Sequence, residues 1–198
     1  DPVVVTGIGM VTPLGPDTAT TWHHVLRGVS AGEFLPYPPD LDAVVGSRKP
    51  TWIGAPARPG GTSADDPVIN LACLAVEEAL RDAGEPQRHH DRERIGCVFG
   101  TSKGSLYAAT ACQTGGSHEA WERMLAGPAL ASMAVAARYE LYGPRISPVA
   151  ACATGIAAVL QGAALVCRDD CEVAVVGSAD DSLHPLVLAS FQRLGVLA

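Results

Sequence analysis

A cysteine among small residues is the group in this sequence best suited to covalent chemistry. Residues 146–155 read ISPVAACATG, and a short β-prone run ends at Val149. From Ala153 to Cys167 the sequence predicts an almost uncharged helix of Ala, Ile, Val and Leu. Cys152 therefore lies at the start of a helix, where unpaired backbone N–H groups and the positive end of the dipole favour an anion. That position favours the thiolate, the nucleophilic form of cysteine.

The alternative for Cys152 is a side chain that only packs in the core, because free cysteine is among the most buried residue types. Two features favour the nucleophile over the packing residue. The cysteine follows a strand and precedes a helix, and its small neighbours leave room for a substrate.

Two other segments resemble nucleotide- or phosphate-binding motifs, but neither matches its motif. Gly7 and Gly9 follow an apolar run, but the third glycine of a dinucleotide fingerprint would fall at Thr12. Residues 101–105, TSKGS, include Lys103 but lack the residue order of a phosphate-binding loop. We therefore expect no nucleotide site in either segment.

Two polar pairs are also candidates. Asp180 and Asp181 follow a predicted strand, and His89 and His90 lie in a polar run. Solvated loop residues are the interpretation we prefer for both pairs. A functional role for the two carboxylates stays open.

Apolar runs alternate with helical patterns along the chain. The predicted strands are 3–11, 95–100, 146–149 and 173–177, and the predicted helices are 18–26, 67–83, 119–125, 129–142 and 153–167. Strands that are apolar throughout are typical of a parallel sheet covered on both faces. Chemistry in such sheets lies at the C-terminal strand ends, where we expect the loops at 100–104, 151–155 and 177–181 to converge.

Composition limits the classes of function. The 198 residues are 47% hydrophobic and 18% charged, which indicates a single compact domain over 1–198 with an irregular loop region at about 28–66. The net charge of −7 argues against nucleic-acid binding. No apolar run is long enough for a membrane span and no signal peptide is recognised, so we expect a cytoplasmic protein without membrane attachment. The six cysteines lack metal-ligand spacing, so no metal is expected.

Several motifs resemble the β-ketoacyl–acyl carrier protein synthases of fatty-acid and polyketide assembly. They occur at 3–15 (VVVTGIGMVTPLG), 75–84 (AVEEALRDAG), 143–155 (GPRISPVAACATG), 177–180 (GSAD) and 185–191 (PLVLASF). The match runs nearly from end to end, and 143–155 is its most specific part. The resemblance implies a thiolase-like layered α/β fold, with a mostly parallel sheet between helices, forming the first of the family's two halves.

The resemblance also implies acyltransferase activity of the ketosynthase type. Cys152 would be the thiol that accepts the acyl group, with its own backbone N–H as one donor of the oxyanion hole. Lys103 and Phe191 correspond to positions near the acyl tunnel, and with Thr154 they are assigned to substrate binding. No cofactor would be bound, because phosphopantetheine of an acyl carrier protein carries the substrates. The implied partners are this carrier protein and a second ketosynthase-type subunit, in a homodimer or heterodimer.

The sequence departs from the family pattern in three ways. Family members are longer, and their catalytic histidines and lysine lie in second-half motifs that do not occur here. The sequence also stops before the antiparallel strand that should close the sheet. Lys103 stands where the family usually has a small or apolar residue, which argues against a simple long-chain acyl pocket. Three functions therefore stay open: a condensing enzyme, a shortened non-catalytic partner like a chain-length factor, and a stand-alone acyl-binding module.

Overall fold

The computed structural model describes residues 2–36, 51–58, 66–113 and 115–197. Within these ranges a three-stranded parallel sheet lies between helices, beside a two-stranded antiparallel sheet. The strands are β1 (Glu33–Leu35), β2 (Trp52–Gly54), β3 (Ile95–Gly100), β4 (Arg145–Ile146) and β5 (Val173–Ser178). The helices are α1 (Thr18–Leu26), α2 (Pro67–Asp82), α3 (Leu106–Gln113), α4 (His118–Ala126), α5 (Leu130–Tyr139), α6 (Thr154–Cys167) and α7 (Pro185–Arg193).

Strand β3 lies at the centre of the parallel sheet, between β4 and β5. All of its residues are buried, because helices cover both faces. Cys97 and Phe99 pack on one face and Val98 packs on the other, as the alternation of side chains along a strand requires. The register pairs Gly100 with Ser178, so the loops that follow β3 and β5 start side by side.

Helices α2 and α5 form one covering layer, and α6 forms the other. Val76 of α2 belongs to the core cluster on the first face, while Ala158 of α6 packs with Val98 on the second. Gly162 allows α6 to approach β5 closely, since a Cβ there would lie 2.1 Å from Cγ1 of Val176. The predicted α/β layers are therefore present.

Aspartates cap the starts of the first two helices. Asp17 accepts a hydrogen bond from Thr20 N–H at 2.7 Å at the start of α1. Asp66 accepts one from Val68 N–H at 3.0 Å at the start of α2, where Pro67 occupies the first turn. The sequence pattern does not predict helices α3 and α7.

The N-terminal segment 3–11 is not the buried strand that the sequence predicts. It has no strand pairing, and most of its large apolar side chains are exposed. The segment lies along α2 instead: Ile8 N–H donates to Oδ2 of Asp82 at 2.9 Å, and Met10 N–H donates to Oε2 of Glu78 at 2.8 Å. A strand needs a neighbouring strand to receive its hydrogen bonds, and no residue in the described ranges supplies one here.

The region 28–66, expected to be irregular, contains regular structure. Strands β1 and β2 pair within it. Trp52 of β2 is buried, and its Nε1–H donates to Oε1 of Gln192 in α7 at 2.9 Å. Strands this short give no readable alternation in a sequence. Residues 37–50 and 59–65 of this region lie outside the described residues.

Two findings bear on membranes and metals. None of the described helices combines the length and apolar composition needed to cross a bilayer. The described residues also contain no group of three or more His, Cys, Asp or Glu side chains arranged to hold a metal ion.

Candidate active site

Cys152 lies in a one-turn 3-10 helix, Ala151–Ala153, which leads directly into α6. We call residues 150–155 the cysteine turn. The Cys152 side chain is exposed, as is Cys167 at the other end of α6, whereas the four other cysteines are buried. An exposed thiol at a helix start is accessible to a substrate.

The backbone immediately before the cysteine is left-handed. Ala151 has φ 48, one of the positive φ values at non-glycine residues in the described chain. This conformation costs a residue with a Cβ roughly 1–2 kcal/mol. Contacts around the turn must therefore offset this cost.

Thr154 makes such contacts. It is 2% exposed, and its hydroxyl accepts a hydrogen bond from Ala150 N–H at 3.0 Å and donates one to the carbonyl oxygen of Ala151 at 2.8 Å. The substrate-binding role assigned to Thr154 stays a prediction. The hydrogen bonds of its hydroxyl are made with the turn itself.

The start of α6 has no negative side chain of its own. Its first turn contains no acidic residue, and none of the described side chains caps it at Ala153. Ala153 N–H donates to the Ala150 carbonyl at 2.9 Å, and Thr154 N–H donates to the Ala151 carbonyl. The other N–H groups of the first turn and the helix dipole favour negative charge beside the thiol. The arrangement suits a thiolate or an oxyanion.

The three loops predicted to converge are in contact. Ala179 N–H donates to the Gly100 carbonyl at 3.1 Å, which joins the loop after β5 to the end of β3. A Cβ at Gly100 would lie 2.5 Å from Cγ2 of Thr154, and a Cβ at Gly155 would lie 3.0 Å from Oγ of Ser178. The cysteine turn therefore rests on the C-terminal ends of β3 and β5, as the sequence predicts.

Lys103 joins the loop after β3 to the loop after β5. Its Nζ donates to Oγ of Ser102 at 2.6 Å and to Oγ of Ser182 at 3.0 Å. Ser102 Oγ donates in turn to Oδ1 of Asp180 at 2.9 Å. The Lys103 side chain is exposed, so its charge is hydrated and carries no burial cost. Its assigned contact with substrate stays a prediction.

Comparison with known proteins decides the family. The family described as "Beta-ketoacyl synthase, N-terminal domain" matches residues 1–198. The chain belongs to the β-ketoacyl synthase family. The resemblance in the sequence motifs is thereby confirmed.

Relatives of this β-ketoacyl synthase domain are longer proteins. The chain is 31% identical to 3-oxoacyl-[acyl-carrier-protein] synthase 2 of Rhizobium meliloti, covering 99% of this chain and 51% of that protein. It is 28% identical to the tetracenomycin polyketide synthase ketoacyl synthase alpha subunit of Streptomyces glaucescens, covering 97% of this chain and 49% of that one. The chain thus spans about half the length of these relatives.

Solved structures confirm the thiolase-like fold. A β-ketoacyl synthase from Burkholderia phymatum has a TM-score of 0.78 at 25% identity, covering 96% of this chain and 49% of that one. A ketosynthase in complex with its chain length factor from Xenorhabdus doucetiae has a TM-score of 0.79 at 19% identity, covering 98% and 50%. At that identity the second likeness shows the fold alone.

Phe191 of the β-ketoacyl synthase domain lies on α7 and is partly exposed. Leu188 and Ala189 of the same helix pack against Trp52. The assignment of Phe191 to the acyl tunnel stays a prediction. The anchoring of α7 by Trp52 is a feature that sequence reasoning misses.

A largely buried ionisable cluster joins Asp181, a candidate from the sequence, to Asp66 and His184, which the sequence does not single out. Ser105 donates to the buried Asp66 carboxylate, and His184 Nε2 lies 3.1 Å from Oγ1 of Thr110. Burial raises the pKa of Asp181, and the nearby Asp66 charge raises it further. Burial lowers the pKa of His184, although Asp181 opposes that shift. The capping signal of Asp66 before a proline is the sequence clue to this cluster.

Several histidines have structural contacts away from the cysteine turn. His184 caps α7, and His24 Nδ1 lies 2.6 Å from the Leu14 carbonyl oxygen. His90 pairs at 3.0 Å with Glu172, which precedes β5 and so lies at the opposite edge of the sheet. We assign none of these histidines to the reaction.

Proposed function

We propose that this chain is the nucleophile-bearing half of a β-ketoacyl synthase in fatty-acid or polyketide assembly. The observation that carries the proposal is the exposed Cys152 thiol at the uncapped start of α6, in a chain of this family. Lys103, Phe191 and Thr154 belong to the proposal as residues around the acyl group. A cytoplasmic location is part of it.

The first step is acyl transfer. The Cys152 thiolate attacks the thioester carbonyl of an acyl group carried on phosphopantetheine, and a tetrahedral oxyanion forms. The backbone N–H of Cys152 is the donor we assign to this oxyanion. The C–S bond to pantetheine breaks, the pantetheine thiolate takes up a proton, and the acyl group stays on Cys152.

The second step is decarboxylative condensation. A malonyl-type carrier thioester loses carbon dioxide, and the electron pair of the broken C–C bond forms a carbanion. The carbanion attacks the acyl thioester carbonyl, and the Cys152 thiolate leaves. The family's catalytic histidine motifs do not occur in these 198 residues, so the chain alone is expected to accept an acyl group without completing the condensation.

Exposed side chains on α6 support a second ketosynthase-type subunit as a partner. Ile156, Val159 and Leu160 are 69%, 50% and 66% exposed, at the spacing of one helix face. Val149, which precedes the cysteine turn, is also exposed. Apolar patches of this kind mark protein contacts. The other partner in the proposal is the acyl carrier protein.

A non-catalytic partner subunit is the second candidate function. The Xenorhabdus doucetiae ketosynthase pairs with a chain length factor of related fold. Lys103 favours this candidate by its residue type alone, because a charged residue suits an acyl tunnel less well than an apolar one, although its exposed side chain carries no burial cost here. The intact cysteine turn favours the enzyme.

Intact-mass measurement separates the two functions. The purified protein is incubated with an acyl group on carrier-protein phosphopantetheine, and the mass of one acyl group is expected on Cys152. Cys152→Ala is expected to abolish the adduct. Cys167→Ser is the matched control, because it removes the exposed thiol at the far end of the same helix and should leave the adduct unchanged.

The opposite outcome contradicts the enzyme. A folded chain that acquires no acyl adduct, but forms a stable complex with a ketosynthase subunit, is the non-catalytic partner. An adduct on Cys167 instead of Cys152 would show that Cys152 is not the nucleophile.

A further inference from the structure

We propose that Thr154 is a positioning residue whose hydroxyl holds Ala151 in its left-handed conformation and thereby sets the orientation of Cys152. This inference rests on the proposed function only in taking Cys152 as the nucleophile. It assigns the Thr154 hydroxyl to the backbone of the turn, which refines the place of Thr154 beside the acyl group in the proposed function.

The hydroxyl is placed between two backbone groups. Thr154 Oγ1 accepts from Ala150 N–H at 3.0 Å and donates to the Ala151 carbonyl at 2.8 Å. The same carbonyl accepts from Thr154 N–H. Thr154 therefore bridges the Val149–Ala150 and Ala151–Cys152 peptide groups. The Ala151 φ angle of 48 lies between them, so rotation out of the left-handed region would break these bonds.

The methyl group fixes the side chain itself. A Cβ at Gly100 would lie 2.5 Å from Thr154 Cγ2 and 2.4 Å from the Pro148 carbonyl oxygen, so glycine leaves the space that the methyl occupies. Thr154 is 2% exposed. A β-branched side chain is already restricted at χ1, and the end of β3 restricts it further.

The orientation of the cysteine follows from this arrangement. Ala151 is the residue before Cys152, so a change in its φ moves the sulfur relative to the N–H groups that start α6. Those groups stabilise the thiolate only when they lie close to it. The Thr154 hydroxyl already donates its proton to the Ala151 carbonyl. It therefore affects the reaction by holding the turn.

The test compares Thr154→Val with Thr154→Ser. Valine keeps the shape and removes the hydroxyl, whereas serine keeps the hydroxyl. The readout is the rate of Cys152 alkylation by iodoacetamide at pH 7, followed by peptide mass spectrometry, with Cys167 as the internal reference. For Thr154→Val we expect the rate constant of Cys152 to fall about tenfold relative to that of Cys167. Thr154→Ser should stay within about twofold of the unchanged chain, because its hydroxyl is retained.

A second substitution keeps the test decisive if Thr154→Val folds poorly. Glycine adopts the left-handed region without cost, so Ala151→Gly should restore folding in the double variant and reduce the loss of Cys152 reactivity. Thr18→Val is the matched control, because the buried Thr18 hydroxyl has no hydrogen-bond partner among the described residues. It should leave the alkylation rate of Cys152 unchanged.

The outcomes distinguish this inference from the proposed function. A Thr154→Val protein in which Cys152 is alkylated as fast as in the unchanged chain overturns the positioning role, whether or not acyl transfer occurs. Slower alkylation of Cys152 without any acyl adduct from carrier-bound thioesters supports the positioning role and contradicts the enzyme. Equal losses in Thr154→Val and Thr154→Ser also overturn it, since the hydroxyl would then have no effect.

Discussion

A Cβ at Gly9 would lie 1.9 Å from the carbonyl oxygen of Ala75 in α2. The N-terminal segment therefore touches the helix backbone directly. Gly7 makes the same kind of approach one turn further along, where a Cβ would lie 2.3 Å from the Ala79 carbonyl oxygen. These two glycines, with the hydrogen bonds to Asp82 and to Glu78 of α2, hold the segment in place.

Gly9→Ala is expected to lower the free energy of unfolding by about 1–3 kcal/mol, because the new methyl group forces the N-terminal segment away from the backbone of α2. Urea unfolding followed by circular dichroism measures the change. Gly32→Ala is the control: a Cβ there would meet its nearest neighbour at 3.5 Å, which is ordinary contact. It should change the free energy by less than about 0.5 kcal/mol. Equal effects of the two substitutions would contradict the close approach.

The same segment marks the limit of sequence-based prediction for the fold. Its apolar run has the composition of a buried strand, but strand formation depends on a partner that a local pattern does not contain. β3 and β5 show the opposite case. Their runs lie next to each other in the sheet, so the composition and the pairing agree.

At the candidate site the sequence predicts where Cys152 lies along the fold, but not the backbone conformation and hydrogen bonds around it. The small residues before a helical pattern place Cys152 at a helix start, and the structure has α6 starting at Thr154. Nothing in the residue type shows that Ala151 is left-handed, because glycine is the residue usual in that region. Likewise, Asp180 gives no local sign that it accepts hydrogen bonds from the loop after β3.

The cysteines of the folded protein should differ in their rates of alkylation. Burial raises the pKa of the Cys97 thiol to about 12, although Arg145 opposes the shift, and Cys97 is nearly inaccessible in β3. At pH 8 we expect iodoacetamide to modify Cys152 and Cys167 first, and Cys97 only after unfolding. Peptide mapping with and without urea measures this order. Modification of Cys97 as fast as Cys152 in the native protein would contradict the fold.

Removing the Asp180 carboxylate should loosen the loop after β3. Asp180 accepts hydrogen bonds from Thr101 Oγ1 at 3.3 Å and from Ser102 Oγ at 2.9 Å. For Asp180→Ala we expect a loss of about 1 kcal/mol in the free energy of unfolding and faster hydrogen exchange at 101–105. Asp180→Asn is the matched variant, because its amide oxygen still accepts hydrogen bonds. Unchanged exchange in Asp180→Ala would show that these bonds do not hold the loop.

His184 should make the stability of the protein fall in mild acid. Its Nδ1 accepts the N–H of Leu186 at the start of α7, and its Nε2 faces the Thr110 hydroxyl, which donates onward to the Leu106 carbonyl. This chain of hydrogen bonds requires the neutral imidazole with the proton on Nε2. Protonation at Nδ1 removes the cap of α7 and places a charge in a buried site.

The sign of the effect follows from the pKa of His184, which burial lowers. Below the ordinary value of about 6.5 the unfolded chain binds the proton more readily, so the free energy of unfolding rises with pH through this window. Urea unfolding between pH 7 and pH 5 should therefore show a steeper loss for the unchanged protein than for His184→Asn, because asparagine caps the helix without titrating. His118→Asn, at an exposed position on α4, should retain the full slope. A slope that survives in His184→Asn would assign the acid sensitivity to another group and contradict the neutral imidazole cap.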